Sequence, residues 1–130
     1  MRIKGVKARD GHYYITAIFA CQNPELCKPA LFLVDTGATI TTIIAEKFEV
    51  DCSKLSEGVE TTSSMGIHIP RVIQQAFMIF RTIKGKSHIE FLKKVDVIDI
   101  KDAPFDGLMG MDILSRFKIR LDKNGIFLEK

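Results

Sequence analysis

The chain contains no tryptophan, only three cysteines, and no dense run of lysine or arginine. It also has no stretch approaching the ~18 consecutive apolar residues of a membrane span. The missing tryptophan decides little, but the other scarcities exclude more. Cys21, Cys27 and Cys52 are odd in number, and the segment Met1–Lys7 carries charges without a continuous apolar run. A disulfide framework and a secretory leader are therefore not expected. Five residues separate Cys21 from Cys27, with His12 upstream and Cys52 downstream, which is too loose a pattern for a structural zinc site. No metal is expected. The 19 basic and 16 acidic residues are scattered and leave a formal charge of only +3, so no nucleic-acid partner is expected either. A cytoplasmic protein without membrane contact is the default expectation.

What is present suits a folded domain. At 130 residues, 46% hydrophobic and 27% charged, the chain can bury a core without covalent staples, and one domain over 1–130 is expected. The pattern is of strands and turns. Residues 2–9 and 12–20 read as strands joined at Asp10-Gly11. Residues 21–29, with two cysteines and two prolines, read as a loop. Residues 30–35 form an apolar run ending in an acid, and 39–44 are all β-branched, which favours a strand. A short helical turn is expected at 45–48. Two strands are expected within 57–80, around Ser63-Ser64-Met65-Gly66, and a hairpin through Lys84-Gly85 joins 77–83 to 86–100. Pro104 and Gly107 mark a loop. A helix is expected over 111–117, and a last hairpin over Asp122–Gly125. Many short strands with one short helix near the C-terminus indicate an all-β barrel or sandwich.

Two segments carry the chemical information. In Leu31-Phe32-Leu33-Val34-Asp35-Thr36-Gly37-Ala38, four apolar residues run directly into an acid. A carboxylate at the end of a buried strand needs hydrogen-bond partners or a reason to hold a proton. Gly37 lets the backbone turn sharply and lets another chain approach closely. Alone, Asp35-Thr36-Gly37 is equally a simple turn after a strand. The second segment is Phe105-Asp106-Gly107-Leu108-Met109-Gly110-Met111-Asp112-Ile113-Leu114, two apolar residues before a glycine and then a short helical pattern.

Together, in this order and about 70 residues apart, the two segments resemble the retropepsin-like aspartic peptidases. In that family an apolar strand ends in Asp-Thr/Ser-Gly, and a downstream apolar pair with glycine forms a strand crossing beneath it, followed by a helix. The resemblance implies a closed retropepsin-like barrel working as a symmetric homodimer, since aspartic peptidases use two carboxylates and this chain supplies one such motif. Asp35 is then the catalytic residue. Two such carboxyls share one proton, the ionised one activating a water and the protonated one bonding the scissile carbonyl of a peptide. No cofactor is needed.

The same resemblance assigns the neighbours. Thr36, Gly37 and Ala38 form the active-site loop; Ala38 has no side-chain donor to offer the carboxylate, whereas serine or threonine would. A covering hairpin, or flap, is expected with its tip at Ser63–Ile67. Leu33, Ser64, Met65, Gly66, Pro104, Phe105 and Leu108 are expected to contact substrate, core packing being the plainer role for the last three. The acids Asp96, Asp99, Asp102, Asp106 and Asp112 read as a solvated edge, and His68 and His88 as surface or satisfied histidines. The alternative function is a catalytically silent dimerisation or peptide-binding module.

Overall fold

A computed structural model describes residues 1–130. In chain order the strands are β1 (Arg2–Lys7), β2 (Tyr13–Gln22), β3 (Glu25–Val34) and β4 (Thr42–Ile44), then helix α1 (Ala45–Phe48) and a 3-10 turn at Cys52–Lys54. There follow β5 (Ser56–Glu57), β6 (Thr61–Ser63), β7 (Gly66–His68), β8 (Arg71–Arg81), β9 (Ser87–Ile98) and β10 (Gly107–Met109). Helix α2 (Met111–Leu114), β11 (Lys118–Asp122) and β12 (Gly125–Glu129) complete the chain. No helix is long and apolar enough to cross a membrane.

Six strands close on themselves in the order β2-β3-β10-β4-β9-β8, the ring being completed by pairing of β8 back onto β2. Closure removes sheet edges, which is why short strands such as β4 and β10 hold their place. The β3–β10 and β4–β9 pairings are parallel and the other four antiparallel. The alternation on β2 shows how the sequence fills the barrel: Ile15, Ala17, Phe19 and Cys21 point inward and are buried, whereas Thr16 and Gln22 are exposed. The main core cluster includes Phe19, Phe32, Met78, Phe80 and Leu92, each at most 1% exposed. Phe19 meets Phe48 of α1 edge-on, with ring centroids 5.4 Å apart.

Two flanking pieces matter for the site. β6 and β7 form a separate two-stranded hairpin turning at Ser64-Met65. At the other side, β11, β12 and β1 extend the sheet beyond β2, with β1 pairing β12 from Arg2↔Glu129 to Val6↔Gly125.

Several sequence expectations change. Residues 21–29 are not a loop: β2 and β3 run through them and turn at Asn23-Pro24, with Gln22 opposite Glu25. Pro29 is tolerated because that part of β3 has only β2 as a neighbour. The strand over 39–44 shortens to β4, since the backbone of Thr39 and Thr41 is bonded to α2 instead. The helix over 111–117 is one turn, α2, whereas α1 spans 45–48 as expected. Gly107 opens β10 rather than marking a loop. A Cβ there would sit 2.5 Å from the Thr42 carbonyl oxygen and 2.6 Å from the Phe32 ring, so only glycine lets β10 slide between β3 and β4.

Candidate active site

β3 delivers Asp35. Phe32 and Leu33 lie between β2 and β10, and Val34 pairs with Met109 of β10, so the strand is held on both sides to Leu33 and on one side up to the acid. The Asp35 amide donates to the Met109 carbonyl at 3.0 Å, tying the acid to the end of β10. Asp35 is 8% exposed. Its carboxylate accepts from two backbone amides, Gly37 at 3.0 Å on Oδ1 and Ser64 at 3.1 Å on Oδ2. It makes no salt bridge within the chain. A buried carboxylate with amide donors and no counter-cation is solvated by fixed dipoles rather than neutralised.

The loop after Asp35 is stitched to α2. Ala38 donates to the Asp35 carbonyl at 3.2 Å and accepts from the Met111 amide at 2.8 Å. Thr36 and Gly37 are exposed, and the Ala38 side chain is buried. The Asp112 carboxylate takes the Thr41 amide at 2.9 Å and the Thr41 hydroxyl at 2.7 Å, and that hydroxyl accepts from the Gly110 amide at 3.2 Å. Asp112 thus clamps the loop after Asp35 rather than standing on a solvated edge.

The residues expected to contact substrate divide. Leu33, Phe105 and Leu108 are buried in a second apolar cluster with Ile44, Ile98 and Ala103, and Met65 of the flap packs against it. Ser64 reaches Asp35 itself. Gly66 closes the flap turn with a φ of +92°, a conformation glycine alone adopts freely. Pro104 is exposed on the loop before Phe105. A hollow of about 670 Å³, lined by Met1, Arg2, Thr82 and His88 among others, does not include these residues.

Not all the acids form a solvated edge. Asp106 accepts from the Leu31 amide at 2.7 Å, and Asp96 is 2% exposed with Oδ1 unpartnered. Burial pushes the Asp96 carboxyl above its ordinary value of 3.8, Lys94 and His68 pulling the other way. His68 has neither ring nitrogen bonded, so it is not satisfied within the chain. His88, by contrast, bonds the buried Glu90, which also pairs with Arg116 at 3.0 Å and Lys130 at 2.8 Å.

No protein-family model matches the chain, and no curated protein matches it. Among solved structures, a retropepsin-like aspartic protease from Rickettsia conorii is similar at 27% sequence identity and a TM-score of 0.54, over 98% of this chain and 88% of that one. The fold is retropepsin-like. The closed barrel and the β6–β7 hairpin over Asp35 match elements that the resemblance implied, while β10 lies beside β3 as its parallel partner rather than crossing beneath it.

Proposed function

We propose that this protein is an aspartic endopeptidase whose working unit is a two-fold homodimer, residues 1–130 acting as one subunit and Asp35 from each copy forming the catalytic pair. The observation that carries the reading is the state of Asp35. It lies at the end of a buried barrel strand, under a hairpin, bonded to two amides and to no cation.

Two carboxyls brought together at a dimer axis hold one proton between them, because both cannot ionise cheaply in so dry a place. The ionised partner takes a proton from water as the water oxygen bonds the carbonyl carbon, the protonated partner gives its proton to the carbonyl oxygen, and the tetrahedral diol collapses by breaking its C–N bond as a proton passes to the leaving amine. Thr36 and Gly37, exposed beside the acid, are placed to meet the partner loop and the substrate backbone. Leu33, Met65, Phe105 and Leu108, with Pro104 at the rim, supply apolar walls for side chains of an extended peptide, while Ser64 and Gly66 offer flap backbone.

The test is cleavage of a library of peptides by the wild type and by Asp35→Asn. A fall of at least ~10²–10⁴-fold is expected, the usual contribution of a positioned acid or base. A wild type that dimerises yet cuts nothing, or a variant that cuts equally well, overturns the reading.

A further inference from the structure

Basic residues that are scattered along the chain are gathered by the fold on one surface. Where β1 runs past the β8–β9 hairpin, two hollows of about 670 and 590 Å³ lie side by side and share Thr82 and Ile83. Arg2, Lys84, Lys86 and His88 line the first, Lys4 and Arg81 the second, and no acid lines either. The acids that touch these cations are already shared. Glu129 pairs with Arg2 and Arg120, and Glu90 with His88, Arg116 and Lys130. Lys4, Arg81, Lys84 and Lys86 make no ion pair. Cleft walls lined by one sign of charge attract the opposite sign.

The same surface is apolar next to its charges. Across β8 and β9, Phe77 stands opposite Phe91, Ile79 opposite Ile89 and Arg81 opposite Ser87. Opposite residues share a face, and so do alternate residues of one strand, so these pairs follow one another on the outside of the barrel. Phe77, Phe91 and Ile89 are 42%, 41% and 58% exposed, and the two phenylalanine rings lie 5.5 Å apart. Ile18 of β2, opposite Ile79, widens the wall. Contiguous exposed apolar side chains rimmed by charge mark an interaction site.

The hollows also offer backbone. The Met1 carbonyl accepts from the Lys130 amide at 3.1 Å, whereas the Arg2 carbonyl accepts from the Ile83 amide at 3.0 Å. Backbone groups alternate in direction along a strand, so those of Lys4 turn, like those of Arg2, away from β12 and toward the second hollow. β1 pairs with β2 only at Val6 and Lys7, which leaves Lys4 without a ladder partner on that side. A peptide has its own N–H and C=O groups to bond there, whereas a nucleic acid brings phosphates alone. We propose that this surface docks an acidic peptide segment of another protein, its carboxylates among Arg81, Lys84 and Lys86 and an adjoining apolar side chain on the wall of Phe77, Ile79, Ile89 and Phe91. Neither Asp35, its loop nor the flap lines the hollows, and the docking site does not depend on the peptidase reading.

The test is fluorescence anisotropy of a labelled peptide, a run of glutamates followed by two phenylalanines, titrated with the full chain carrying Asp35→Asn so that the probe stays whole. Saturable binding is expected, at least about tenfold weaker in ~1 M salt, where charges are screened beyond about 3 Å. Arg81→Glu combined with Lys84→Glu is expected to weaken it at least about tenfold, and Ile89→Ser about fivefold. Lys47→Glu, on α1 away from the hollows, is expected to leave it unchanged. All four positions are exposed, and unchanged melting curves check that the variants fold. No binding, binding untouched by the Arg81 and Lys84 changes, or equal weakening by Lys47→Glu overturns the site. A probe with serines in place of its phenylalanines that binds as well overturns the apolar half. A single-stranded oligonucleotide that binds more tightly and displaces the probe overturns the peptide assignment.

Discussion

The backbone N–H of Ser64 donates to Oδ2 of Asp35 at 3.1 Å, so the tip of the β6–β7 hairpin rests on the carboxylate expected to do the chemistry. A hydrogen bond to an ionised acceptor contributes about 1.5–3 kcal/mol. In the single subunit this contact occupies one of the two oxygens that a catalytic pair would need. On the proposed reading, the flap is expected to lift from Asp35 before a peptide or a second carboxylate approaches.

Amide exchange reads that contact directly. The Ser64 amide is expected to exchange roughly ten- to a hundredfold faster in Asp35→Ala than in the wild type, in line with the strength of such a bond. The Met65 amide bonds Ser63 Oγ at 3.1 Å instead and serves as the internal reference. Equal acceleration at both amides would mean general loosening of the hairpin.

Asp112 holds Thr41, which is fully buried, through two of its groups. Asp112→Ala leaves the Thr41 amide and hydroxyl without that acceptor, and the expected loss is about 1–3 kcal/mol in chemical denaturation. Asp112→Asn keeps one oxygen acceptor and is expected to recover part of it. If the two variants unfold at the same denaturant concentration, the clamp is not what Asp112 provides.

The acid limb of stability is expected to depend on Glu90. Burial alone would raise its carboxyl, but hydrogen bonds from Lys130, His88 and Arg116 outweigh that and hold it at about 2, below the ordinary 4.5. A depressed acid contributes stability in full above its unfolded value and loses it as the pH falls through its folded value. The wild type should lose stability between about pH 4.5 and pH 2. Glu90→Gln should be less stable at pH 7, by about 2 kcal/mol, with a flatter profile across that window. Melting curves at a series of pH values compare the two directly.

Asp96 carries the opposite sign. Its folded carboxyl is raised, chiefly by burial, so ionisation costs stability at neutral pH. Asp96→Asn is expected to raise stability at pH 7 by on the order of 1 kcal/mol. The gain should fade as the pH falls below the ordinary value of 3.8 and the native acid becomes neutral in both states. A loss of stability at pH 7 would show that the charge is balanced, with Lys94 and His68 the candidates.

The strand that ends in Asp35, the apolar pair Leu108-Met109 and the turn at Gly66 were all legible in the sequence. Each rests on a local rule: an apolar run buried on both faces, or a backbone angle that favours glycine. The boundaries of β3 and β4 were not legible. Pro29 reads as a strand breaker until the missing neighbour on that stretch of β3 is known, and Thr39–Ile44 reads as one strand until Asp112 takes the Thr41 amide.

By itself, then, the sequence determined that strands would form, which acid lies at the end of one, and that Gly66 sits at a turn; why Gly107 must be glycine emerged only from the packing of β10 between β3 and β4. Tertiary structure decided what covers that acid, which of the five nearby acids is buried, and which strand is left at the edge. The reason is physical. Periodicity and turn chemistry act over a few residues. The Ser64–Asp35 bond joins residues 29 apart and the Thr41–Asp112 bond residues 71 apart, and their existence depends on barrel closure through β2 and β8.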